Sequence, residues 1–139
     1  MVIVFDTSTL VAAHAQPHPQ FAWADQQAQA AARPAVCAHS LAELYAVMTA
    51  HPQLRYAPVQ VQAVIERIHE TWEVLPLAAA DDLAAIQRCQ QLNLQGGAID
   101  DTLIAQAALR VQARGLVTLN ARHFVRLGKD VAQLVIQPD

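Results

Sequence analysis

Strands that alternate with helices along the whole chain predict an α/β layered fold around a mostly parallel sheet of about five short strands. Three observations carry this reading. The chain opens on a continuous, largely β-branched apolar run, Val2-Ile3-Val4-Phe5, the pattern of a strand buried on both faces. Alanine-rich segments with helical spacing separate that run from four later strand candidates. A length of 139 residues suits one hydrophobic core, so residues 1–139 are expected to form a single domain.

After Phe5, Asp6-Thr7-Ser8 reads as a turn and Leu10 to His14 as a short helix. Pro17 and Pro19 interrupt it, and Phe21 to Ala32 resumes as helix. Pro34 introduces a second strand, Ala35 to Ala38. Ser40, with Glu43 three residues later, matches a capping box, and Leu41, Leu44, Tyr45 and Met48 follow at helical spacing as core residues. His51-Pro52 ends that helix. Pro58 opens another, running to about Glu70, before a strand at Trp72 to Leu75. Ala79 to Leu94 is a helix stopped by Gly96-Gly97. Ile99 to Ala113 is the next, closed by Gly115. Leu116 to Leu119 reads as a strand, Asn120 to Leu127 as a short helical turn, and Leu134 to Ile136 as the last strand.

Composition excludes several classes. With 54% hydrophobic and 15% charged residues the chain is globular rather than disordered. No apolar run approaches the roughly 20 residues that span a bilayer, and the opening residues lack the basic region of a signal peptide. A cytoplasmic location is therefore expected. Cys37 and Cys89 lie in apolar surroundings without ligand spacing, which fits buried thiols rather than a disulfide. A net charge of −3 argues against a broadly basic nucleic-acid binder. Five of the nine basic residues (Arg110, Arg114, Arg122, Arg126 and Lys129) nonetheless fall in the last thirty positions. That edge is compatible with a phosphate-bearing substrate and equally with a solvated face.

Parallel sheets bind ligands at the carboxyl ends of their strands. Asp6, Thr7 and Ser8 follow the first strand, Ser40 and Glu43 the second, and Thr118 and Asn120 the fourth. Asp100 and Asp101 start the helix that leads into the fourth strand. Carboxylates crowded at one edge repel, and a hard divalent cation such as Mg²⁺ or Mn²⁺ is the usual compensation. An acid closing a buried strand is costly unless paired or liganded, which favours a functional Asp6 over a mere turn cap. Glu43 is the only formal charge between Arg33 and Arg55, in an otherwise apolar helix, and the same cost argues for function there. Helical phase does not choose between Asp100 and Asp101, and either serves as an N-terminal dipole partner. Asn120 is common in turns for its own reasons. The six histidines show no HExxH and no paired spacing, so a zinc site is not expected, and His123 reads as a surface residue near the site. Asp81-Asp82 reads as a helix-dipole feature.

These segments resemble the motifs of one family. Val-Ile-Val-Phe-Asp6-Thr7-Ser8 resembles the first strand and acidic turn of PIN domains. Ser40-Leu-Ala-Glu43-Leu-Tyr resembles their second motif, and Asp101-Thr-Leu-Ile-Ala-Gln-Ala-Ala their third. Gly115-Leu-Val-Thr118-Leu-Asn120-Ala-Arg122-His123-Phe124 resembles the segment that closes the family's site, and the four motifs span residues 2 to 124 in family order. The resemblance implies a PIN-like three-layer α/β/α sandwich and a Mg²⁺- or Mn²⁺-dependent endoribonuclease. It points to a VapC-type toxin, with a VapB-type antitoxin and a homodimer as expected partners. It selects Asp101 over Asp100 and makes Asp6, Glu43 and Asp101 the catalytic and metal-binding carboxylates, with Thr7, Thr118 and Asn120 in support. Many PIN domains carry Asp where this chain has Asn120, which leaves the second metal open. The rival readings are a non-catalytic or solitary PIN-like RNA-binding or processing module, and a Mg²⁺-dependent phosphotransfer domain. The complete Asp6, Glu43, Asp101 set argues against the first. The lack of a lysine near the strand ends argues against the second.

Overall fold

The computed structural model describes residues 1–139. Its five strands are β1 (Val2–Phe5), β2 (Arg33–Cys37), β3 (Glu73–Leu75), β4 (Gly115–Val117) and β5 (Val135–Ile136). They form one sheet in the order β3-β2-β1-β4-β5, and every neighbouring pair is parallel. The helices are α1 (Thr7–His14), α2 (Phe21–Ala30), α3 (Ala38–Ala50), α4 (Pro58–Thr71), α5 (Ala79–Gln91), α6 (Ala98–Arg110), α7 (Ala121–Val125) and α8 (Lys129–Ala132). No helix is long and apolar enough to cross a membrane. The α/β class and five-strand sheet expected from the sequence are what the chain adopts.

Side-chain alternation in the strands feeds two cores, one on each face of the sheet. Val2, Val4, Ala35, Cys37, Leu75 and Leu116 pack with Ile104, Ala105 and Ala108 of α6 and with Phe124 of α7. Val36 points the other way, to Leu10 of α1, Leu44 and Met48 of α3, and Val61 and Ile68 of α4. Phe5 is fully buried and meets Trp72 edge-on, with ring centroids 4.9 Å apart. Helices on both faces explain why β1 reads as an unbroken apolar run instead of an alternating one. Both cysteines are buried and unpaired.

Several expectations are corrected. Asp6 is the N-cap of α1, its Oδ1 accepting from Thr9 N at 2.9 Å, so Thr7 and Ser8 are the helix's first turn rather than a preceding loop. Ser40 is no N-cap: α3 starts at Ala38 straight out of β2, with Cys37 at the cap position. Ser40 is instead buried in the first turn with its hydroxyl 3.1 Å from that of Thr7. Tyr45, expected in the core beside Leu44 and Met48, is 42% exposed. Pro34 lies inside β2, at a position that pairs with Ile3 on one side but precedes the start of β3 pairing on the other, so its missing N–H costs the sheet little.

Candidate metal centre

The chain runs from β1 outward through β2 to β3, then returns to the other side of β1 for β4 and β5. The direction of winding therefore reverses between β1 and β4, and their carboxyl ends flank the crevice where open α/β sheets bind ligands. Asp6 leaves β1 at this point and Thr118 leaves β4. Asp6 N bonds Val117 O at 3.1 Å, which carries the β1–β4 ladder up to the acid itself.

Asp6 is 2% exposed. Thr118 Oγ1 donates to its Oδ2 at 2.6 Å, while Ser8 Oγ (2.7 Å), Thr9 N and Thr9 Oγ1 (both 2.9 Å) donate to Oδ1. Two of those hydroxyls are themselves oriented, because Ser8 Oγ accepts from Leu119 N and Thr118 Oγ1 accepts from Asn120 N. Every donor is neutral. Burial pushes the carboxyl of Asp6 above its ordinary range, against the pull of the Thr118, Ser8 and Thr9 bonds.

Glu43 reaches the same crevice from the second turn of α3, where Thr7 Oγ1 donates to its Oε1 at 2.7 Å. Asp101 arrives from the first turn of α6, with His123 Nδ1 of α7 3.2 Å from its Oδ2. Burial raises the Asp101 carboxyl first. His123 opposes that, and the negative charges of Asp6 and Glu43 raise it further. The structure thus links Thr118 to Asp6 and Thr7 to Glu43, and sets Asp101 within range of the charge of both acids. It does not bring in the side chain of Asn120, which is exposed and makes no hydrogen bond; only the Asn120 backbone N–H joins the network.

Two residues gain roles that sequence reasoning withheld. His123 is half-exposed but paired with Asp101. His39, four residues before Glu43 on α3, places Nε2 2.8 Å from Asp100 Oδ1 and 3.9 Å from Glu43 Oε1. The i,i+4 spacing of His39 and Glu43 was the available signal, since it sets both on one helix face.

Asp6, Glu43 and Asp101 supply oxygen donors from three separate elements, and no Lys or Arg forms an ion pair with any of them. Hard oxygens that raise one another's charge cost, offset only in part by His123 and the more distant Arg126, fit Mg²⁺ or Mn²⁺. A cavity of about 390 Å³ opens beside Thr7 and Ser8, floored by Val11, Val47 and Leu54 and bordered by His18.

Known proteins share this arrangement of elements. The PIN domain model matches residues 3–130. Ribonuclease VapC27 of Mycobacterium tuberculosis (strain ATCC 25618 / H37Rv) is 30% identical over 126 residues, covering 86% of this chain and 85% of that protein. Two solved structures share the fold. VapBC2 from Rickettsia felis, bound to a DNA fragment from its promoter, superposes with a TM-score of 0.72 at 20% identity over 100% of both chains. Mycobacterium tuberculosis VapC20, a Sarcin-Ricin loop cleaving toxin, gives 0.69 at 16% identity over 82% of this chain and 86% of that one. By the match to nearly its whole length and the relative of equal span, the chain belongs to the PIN domain family.

Proposed function

We propose that this protein is a metal-dependent endoribonuclease and the toxin of a VapBC-type toxin–antitoxin pair, acting on RNA in the cytoplasm. The observation that supports the reading is the set Asp6, Glu43 and Asp101 near the β1–β4 crevice, none of them paired with Lys or Arg. The relation to a ribonuclease over most of both chains supports RNA as substrate. Neighbours that are VapBC proteins support a VapB-type antitoxin as partner, and the toxin reading brings with it a homodimer.

Asp6, Glu43 and Asp101 would hold the cation. When bound, Mg²⁺ or Mn²⁺ supplies Lewis acidity toward water and toward the non-bridging oxygens of a phosphodiester. The chain's own part is to fix geometry. Thr118, Ser8 and Thr9 lock both oxygens of Asp6, and Thr7 locks one oxygen of Glu43, so little reorganisation is left for the reaction. His123 stands against Asp101 at the rim, its Nδ1 3.2 Å from Oδ2, where it would orient that carboxylate. Arg122 on α7 and Arg126 at its C-cap, both exposed, give the RNA backbone a cationic approach. The cavity beside Thr7 and Ser8 offers room for a flanking nucleotide.

The test is cleavage of total cellular RNA by antitoxin-free protein with Mg²⁺, with Mn²⁺ and with EDTA, beside Asp6→Asn. Discrete products that need metal and vanish in the variant are expected. Full cleavage in EDTA, or by Asp6→Asn of equal purity, would overturn both the metal and the site.

A further inference from the structure

Asp100 and Asp101 are consecutive, yet their carboxylates serve different neighbours. Asp101 faces His123 and feels Asp6 and Glu43, whereas Asp100 turns to His39 on α3. Glu43 is near both, its charge felt by Asp101 and its Oε1 3.9 Å from the His39 Nε2 that Asp100 also meets.

On that second side, one ligand atom each from His39, Glu43 and Asp100 lies within 4.8 Å of the other two. His39 Nε2 is 2.8 Å from Asp100 Oδ1 and 3.9 Å from Glu43 Oε1. Ligand atoms about 2.1 Å from a common ion sit roughly 3.0 Å apart at right angles and about 4.2 Å apart across it. Side-chain shifts of under about 1 Å therefore bring all three onto one cation. Each side chain is partly open, at 34%, 29% and 43% exposure, which leaves an entry path and room for coordinating water. The pair His39 and Glu43 is mounted on one helix face and Asp100 on the first turn of another helix, a rigid frame of the kind a metal site needs.

We propose that His39, Glu43 and Asp100 form a second divalent-cation site that shares Glu43 with the Asp6–Glu43–Asp101 set. Its imidazole makes it favour Mn²⁺, or another borderline transition ion, over Mg²⁺. The sharing of Glu43 rests on the function proposed above; the binding site itself does not. The competing account is a bare His39–Asp100 ion pair that pins α3 to α6.

Mn²⁺ alone is the probe, added to the full chain. Bound equivalents are counted from the loss of the free-ion resonance, and pulsed paramagnetic resonance reads nitrogen coupling to the bound ion. Two Mn²⁺ per chain are expected, one with imidazole nitrogen coupling that resists excess Mg²⁺. His39→Ala should lose the coupling and one equivalent, while His123→Ala keeps the coupling and Asp101→Asn loses only the uncoupled ion. Absence of nitrogen coupling in the unaltered protein overturns the proposal without any variant, and so does coupling that survives His39→Ala. If His39→Ala fails to give a native circular dichroism spectrum, Asp100→Asn replaces it, with loss of one equivalent expected. RNA cleavage separates the two readings. Metal-dependent cleavage with one uncoupled ion sinks the second site alone, and a coupled ion with no cleavage sinks the ribonuclease reading alone.

Discussion

Two buried aspartates show how the same side chain is handled in two regions. Asp81, at the seam of α5 and α6, accepts from Ala78 N at 2.9 Å and pairs with Arg110 Nη1 at 2.6 Å, with Gln106 adding a weaker contact. Its carboxyl is held below the ordinary range, by the Ala78 bond first and by Gln106 and Arg110 after it. Asp6, at the sheet's crevice, has four donors to the three of Asp81, but every one is neutral, and its carboxyl is pushed up. The chain supplies Asp81 with its own countercharge and withholds one from Asp6. An acid that serves the fold is neutralised from within; the acid at the crevice is not.

That contrast can be broken most sharply at Asp6. Asp6→Asn should lower RNA cleavage by more than the roughly 100-fold that marks loss of an outer partner, measured with Mn²⁺ in excess. In EDTA at neutral pH the same variant should melt above the unaltered protein, because a buried charge without a partner has been removed. A melting temperature that falls instead would mean Asp6 already has its countercharge. Thr118→Val keeps shape but deletes the 2.6 Å bond, and metal affinity or activity should drop about 10- to 100-fold. Saturating Mn²⁺ should stabilise the unaltered protein by about 2.7 kcal/mol at a hundred times its dissociation constant, and Asp6→Asn much less, in calorimetric scans.

At the other pole, Asp81→Asn should lower the melting temperature while leaving cleavage and Mn²⁺ binding intact. The sign of its pH dependence follows from the depressed carboxyl. Its stabilisation is present above the unfolded carboxylate's value and is lost as pH falls through the lower folded value. The acid limb of the stability curve should therefore flatten in the variant. The smallest effect is expected at Gly115, where an added Cβ would meet Ile136 Cδ1 at 2.5 Å and Ile3 Cδ1 at 3.3 Å. Ile136 can swing its terminal methyl aside, so Gly115→Ala should cost under about 1 kcal/mol, whereas Gly115→Val should cost about 1–3 kcal/mol in denaturant titrations.

Much of this is legible in the sequence. β1 declares itself because a strand covered on both faces must be apolar throughout, and Asp6 stands out because burying an acid is costly. Glu43 stands out for the same reason, as a lone charge in an apolar helix. What escaped was decided by partners far away in the chain. Asp81 looks like a dipole residue until Arg110 folds back on it. Ser40 looks like a cap until Thr7, 33 residues earlier, occupies its hydroxyl. His39 escaped although Glu43 is its neighbour one turn on, because only the approach of α6 gives it Asp100. The four residues of α8 are too few to show an apolar period.

The bond between Thr118 and Asp6 spans 112 residues. At a ribosomal rate of roughly 5–20 residues per second, some 6 to 22 s separate the synthesis of these two ends of the crevice. For that interval β1 has no β4 beside it, and the growing polypeptide has half a crevice and no assembled carboxylate set. Nothing that depends on this crevice, metal binding included, can begin until Thr118 has been made and β4 has folded back beside β1.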